Sequence, residues 1–275
     1  MRFTKIGQIS EGQDGAIWGG FLFRFQGNGF CWAYDVATRE KISEFFLDGL
    51  DAWMPHSNAV TFGCEYYEAG DEFPLLYTNV YNTYAQEADR REGACCVYRL
   101  TRQGTSFRGQ LVQTIRIGFV KDPTLWCSEG CGDVRPYGNF VVDRENGIYY
   151  GFTMRDAANS TPFFAFKLPK LADGPEVVLQ KEDILTSFET PYHRFLQGAC
   201  VYRGKIFSVE GFTNDGVNPP AIRIIDPEKK EQLFFATTDR FGMTEEPELI
   251  DFWNDVCYCS DCKGNLFIIE EIEGI

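Results

Sequence analysis

A five-bladed β-propeller is the fold this sequence predicts, and three observations predict it. A pair of short strands joined by a tight turn recurs along the chain. Each copy is followed by segments that read as two further strands. One strand is left over at the N-terminus, where the last copy runs short of one. Composition agrees: 25 Phe, 13 Tyr, 5 Trp and 27 Gly in 275 residues favour strands bounded by tight turns. An all-β ring of this length is ordinary as one domain, so 1–275 reads as a single propeller.

The repeat is clearest in two segments that align without a gap. Residues 13–23 (QDGAIWGGFLF) match 197–207 (QGACVYRGKIF), with Gly20 and Gly204 at the same turn position. Glycine suits a hairpin turn that needs positive φ. Three further copies follow the same grammar. Residues 137–143 (YGNFVVD) lead through Asn146 and Gly147 into 148–150 (IYY). Residues 246–250 (EPELI) lead through 253–255 (WND) into 256–258 (VCY). Residues 56–62 (HSNAVTF) lead, after an acidic loop, into 73–77 (FPLLY).

Third and fourth strands follow. They are 30–35 and 42–46 in the first unit, 95–100 and 110–115 in the second, and 221–226 and 232–235 in the fourth. Four strands make a propeller blade. The blades are expected over 13–50, 55–118, 136–181, 196–236 and 246–275, the last completed by residues 2–10. Pairing the spare N-terminal strand in the last blade removes an open seam. A sixth blade between 56 and 137 is the less favoured alternative, since polar insertions at 64–72, 82–93 and 118–135 account for the extra length. The one helical candidate is short, 181–188.

The formal net charge of −14 argues against nucleic acid and anionic membrane as partners, since phosphates call for clustered Lys and Arg. The N-terminus lacks the apolar core of a signal peptide, and the expected location is cytoplasmic. The ten cysteines are then expected as reduced thiols. Cys257, Cys259 and Cys262 form a C-x-C-x-x-C run, but a fourth ligand is not evident, and no metal or other cofactor is expected.

Inner strands of a propeller line its axis, so the residues opening each repeat should converge on one mouth. These are Gln13, His56, Tyr137, Gln197 and Glu246, with Asn58, Asn139 and Glu248 two positions on in three units. Arg135 precedes Tyr137 and offers an anion contact. His193 precedes the fourth unit and could reach the same mouth. Unlike polar groups converging in a concavity form the expected site for a small polar ligand. Glu246, Glu248, His56 and Asp14 are the candidates for catalysis, because close carboxylates can split their pKa values and exchange protons.

Residues 195–198 (FLQG), 208–211 (SVEG) and 246–248 (EPE) resemble the glutamine cyclotransferase type of five-bladed propeller. The resemblance implies cyclisation of an N-terminal glutamine, with Glu246 or Glu248 as the proton-transfer group. It also implies secretion, which departs from the expected cytoplasmic location. Three functions are therefore carried forward. The first is a propeller that binds a small polar ligand or partner at one mouth. The second is an enzyme of acyl-transfer or glycoside-hydrolase type using the channel carboxylates. The third is a protein-interaction scaffold built on the insertions around Asp71 and Asp89.

Overall fold

The computed structural model describes residues 1–80, 93–118, 139–152, 160–191 and 196–272. In chain order the strands are β1 (Arg2–Gln8), β2 (Gly15–Trp18), β3 (Phe21–Phe25), β4 (Phe30–Asp35), β5 (Lys41–Phe46), β6 (Val60–Phe62) and β7 (Leu76–Asn79). Then follow β8 (Cys95–Gln103), β9 (Ser106–Ile117), β10 (Asn139–Asp143), β11 (Ile148–Phe152), β12 (Ser160–Lys167), β13 (Glu176–Leu179) and β14 (Thr186–Pro191). The chain closes with β15 (Leu196–Tyr202), β16 (Lys205–Glu210), β17 (Ala221–Asp226), β18 (Glu231–Thr237), β19 (Pro247–Trp253), β20 (Val256–Asp261) and β21 (Asn265–Glu270).

These strands form five sheets, each a blade: β2-β3-β4-β5, β6-β7-β8-β9-β13, β10-β11-β12-β14, β15-β16-β17-β18 and β19-β20-β21-β1. The N-terminal strand therefore completes the last blade, as the sequence predicts. β1 runs antiparallel to β21, from Arg2 opposite Glu270 to Gln8 opposite Asn265. The Phe3 ring stacks on Phe241 at 5.2 Å, so the closure buries apolar surface as well as an open strand edge.

Turn chemistry sets the inner hairpins. Gly19 and Gly20 both take positive φ, as do Arg203 and Gly204, and Asn254 and Asp255. Two consecutive positive φ values define the type I′ turn, whose twist matches that of paired strands. Burial follows radial position. Inner strand β10 is buried throughout, whereas outer strand β18 alternates between exposed and more buried residues. Aromatic side chains fill the space between blades. Phe23 of blade one meets Phe62 and Phe73 of blade two edge-on, at 5.7 and 5.6 Å.

Two expectations need correction. Residues 181–188 are not a helix: a single 3-10 turn over Lys181–Asp183 leads into β14, the outer strand of blade three. The segment Glu176–Leu179 does not serve blade three. It pairs in parallel with Thr114–Ile117 as a fifth strand of blade two, covering part of that blade's outer edge. Blade three accordingly ends at Pro191, beyond the expected limit at residue 181. Among the described residues no helix is long and apolar enough to cross a membrane.

Candidate functional site

The inner strands start at one end of the ring, and a cavity of about 510 Å³ opens there between blades five and one. Four connections line it. The segment before β2 supplies Glu11, Gly12 and Gln13, and the β3–β4 loop supplies Gln26, Gly27 and Asn28. The start of β19 supplies Glu246 and Glu248, and the β20–β21 turn supplies Cys262 and Lys263.

Glu248 is the best-buried carboxylate of this wall, 2 % exposed. Its place follows from a bulge: Pro247 pairs with Asp261 and Leu249 with Ser260, leaving Glu248 out of the ladder. Burial pushes its carboxyl well above the usual range. The Arg24 guanidinium pulls it back in part, and the neighbouring acids Glu246, Asp14 and Asp261 raise it further. Glu246 is half-buried and also raised by burial, less so because the Gln197 amide donates to its carboxylate. Its backbone N–H donates to Thr213 Oγ1 at 2.7 Å, which fixes this end of blade five to blade four.

Beneath the cavity lies Arg24, fully buried. Its Nη2 donates to the carbonyls of Gly12 at 2.7 Å and Asp261 at 3.0 Å. Among the described residues Arg24 Nε and Nη1, Glu248 Oε2 and Asp14 Oδ1 have no hydrogen-bond partner. Buried donors and acceptors are rarely left open, each such group costing about 1–3 kcal/mol. The floor of the mouth therefore holds unused hydrogen-bonding capacity of both kinds.

Among the described residues, those singled out in the sequence have definite places. Gln13, Glu246 and Glu248 line the cavity, and Gln197 joins it through Glu246. His56 lies against the rim: a β-carbon on Gly27 would stand 3.0 Å from its Nδ1. Burial lowers the imidazole pKa, which favours the neutral ring.

Asp14 and Asn58 lie deeper and hold blades together. Asp14 Oδ2 accepts from Val60 N at 2.8 Å, tying blade one to blade two, and burial raises its pKa well above the ordinary value. Asn58 Nδ2 donates to the Leu196 carbonyl at 3.1 Å, linking blade two to blade four, which are not neighbours in the ring. Asn139 is buried at the start of β10. Arg135, Tyr137 and His193 lie outside the described residues, as does Asp89.

The alignment of blade five shifts in three dimensions. Counted back from the hairpin pairs Trp18 with Phe21, Tyr202 with Lys205 and Trp253 with Val256, the residue matching Gln13 and Gln197 is Glu248, not Glu246. Arg24, Cys262 and the Gln26–Asn28 loop escaped the sequence reading. Arg24 carries the one available signal, a charge inside the apolar run Phe21–Phe25. Cys257 and Cys259 sit in the apolar core between blades four and five, whereas Cys262 turns away to the mouth.

Fold and site together define a five-bladed propeller with a polar cup at the start of its inner strands. The same fold is found in a glutaminyl cyclase of Myxococcus xanthus, with a TM-score of 0.50 at 11 % identity over 97 % of this chain and 94 % of that one. The Dos1 propeller has a TM-score of 0.41 at 9 % identity, covering 94 % of this chain and 59 % of that one. Sqt1 of Saccharomyces cerevisiae has a TM-score of 0.41 at 8 % identity, covering 91 % and 55 %. No family model matches the chain, and no curated protein matches it by sequence.

Proposed function

We propose that this propeller binds a small polar ligand in the cup formed by Gln13, Gln26, Asn28, Glu246 and Glu248. The observation that carries the reading is the unpartnered, buried Glu248 Oε2 in the wall of a cavity edged by amides. A ligand that donates to Glu248 and exchanges hydrogen bonds with the amides satisfies a group the protein itself leaves open.

A second reading is favoured by one observation, the raised pKa of both Glu246 and Glu248. Carboxyls tuned upward can take and return a proton near neutral pH. Together with the fold shared with a glutaminyl cyclase, this supports intramolecular cyclisation of an N-terminal glutamine. In that step the α-amine attacks the side-chain carboxamide carbon, a C–N bond forms, ammonia leaves, and a glutamate carries the proton from the attacking to the departing nitrogen.

The dipeptide Gln-Gly tests both readings. Calorimetric titration is expected to show binding to the native chain, and a loss of at least roughly tenfold in Glu248→Gln, the scale of one charge-assisted hydrogen bond. Release of ammonia and pyroglutamyl-glycine, abolished in the same variant, selects the enzyme. Binding without release selects the ligand-binding protein. Undiminished binding to Glu248→Gln, or no binding to the native chain, overturns the site.

A further inference from the structure

A second cavity, of about 520 Å³, lies on the flank of blade two and shares no residue with the mouth. Trp53, Leu111, Val112, Gln113, Thr114, Pro175 and Glu176 line it. It exists because of the unexpected fifth strand. β13 pairs with β9 only from Thr114 onward, and Leu47 bridges β9 at Gly109, so residues 111–113 between them are left open beside the turn that carries Trp53. That turn is fixed by Ala52 and Trp53 N–H groups donating to the Gly49 carbonyl.

Two acceptors stand in this cavity, on Gln113 and Glu176. Gln113 is 2 % exposed, and both amide hydrogens of its Nε2 are used, on the carbonyls of Lys170 at 2.8 Å and Gly174 at 2.7 Å. That fixes which end of the amide is oxygen, and Oε1 has no partner among the described residues. Glu176 adds a carboxylate at the edge of the cavity. Among the described residues no Lys, Arg or His lines it. Open acceptors without a basic group reject anions and call for a donor. The remaining walls, Trp53, Leu111, Val112 and Pro175, suit an alkyl chain, and an indole ring attracts a cation near its face.

We propose that this cavity is a second binding site, selective for a small alkylammonium ion. The ammonium donates to Gln113 Oε1 and pairs with Glu176, while the alkyl chain lies along Leu111 and Val112 beside Trp53. Water can satisfy Gln113 as well, but water gives no preference for a cation over a neutral alcohol of the same shape.

The experiment compares n-butylammonium chloride with n-butanol by NMR titration of the native chain, following the Trp53 indole N–H and the Gln113 side-chain amide. The ammonium is expected to shift both signals saturably, with n-butanol roughly tenfold weaker, the combined scale of a cation–π contact and a charge-assisted hydrogen bond. Glu176→Gln is expected to weaken the ammonium roughly threefold and leave the alcohol unchanged, since an exposed ion pair is worth little more. Glu248→Gln is expected to leave the site untouched. Equal binding of the two probes, no shift at either signal, or a Glu176→Gln variant that keeps the native preference would overturn the proposal.

Discussion

The carboxyl of Asp251 sits in β19 with both oxygens held by main-chain N–H groups, Ile17 at 2.7 Å and Phe252 at 2.8 Å. Burial nevertheless pushes its pKa up to about 6 from an ordinary 3.8. The folded chain then holds a proton that the unfolded chain has already lost between those two values. Stability falls as pH rises through that window and levels off above it. The shift corresponds to about 3 kcal/mol at most. Asp14 and Glu248, also raised by burial, act in the same direction. Asp35, Asp226 and Glu270 have lowered values, so their contribution is lost only in more acidic solution. His56, lowered by burial, opposes them between pH 7 and 4.5, but one imidazole stands against three raised carboxyls, so urea unfolding should show a more stable chain at pH 4.5 than at pH 7. In Asp251→Asn, whatever the change in absolute stability, that difference should shrink, and an unchanged difference would mean that Asp251 titrates normally. Such residues are only half legible in the sequence. Gln13 and Gln197 can be found because an ungapped repeat carries them. Glu248 is paired with the wrong counterpart because two acidic residues stand at the start of β19 and only the turn of Asn254 and Asp255 fixes which of them matches Gln197; the bulge at Glu248 recurs at Gln197 and shifts nothing.

β1 is the element on which closure depends. Its backbone pairs with β21, Thr4 Oγ1 donates to Glu270 at 2.9 Å, and Lys5 Nζ donates to Asn265 Oδ1 at 2.6 Å. These polar contacts are exposed and add little by themselves. The packing of Phe3 against Phe241 and Phe267 and the covered edge of β21 matter more. Removing residues 1–10 is expected to lower Tm by about 6–12 °C, the effect of losing roughly 3 kcal/mol in a chain of this size. A truncated chain that melts with the native one would show that blade five is stable without β1. This closure was legible because strand counting left one segment spare and one place empty. The fate of Glu176–Leu179 was not. A short apolar segment carries its β-propensity in sequence but not its partner, and pairing with Thr114–Ile117 is a long-range choice made by the assembled ring.

At the scale of the whole molecule, the ring gathers strand starts and loops of blades five, one and four into one cup. No single blade contains the site. Glu246 and Glu248 come from blade five, Gln13, Gln26 and Asn28 from blade one and the segment leading into it, and Gln197 from blade four. Rotational repetition points to strand starts meeting, and of the five expected residues Gln13 and Glu246 line this cavity with Gln197 bonded to Glu246, while Tyr137 lies outside the described residues. It could not reveal Arg24, which belongs to a second strand yet reaches under the mouth to the carbonyls of Gly12 and Asp261. Nor could it reveal that Asn58 bonds blade two to blade four. The most direct test of the mouth as ligand site is a crystal structure of the chain grown with Gln-Gly. The expected result is the dipeptide in the cup, with a donor nitrogen within hydrogen-bond distance of Glu248 Oε2. A dipeptide bound on the outer rim of the blades, with the cup holding only water, would contradict it.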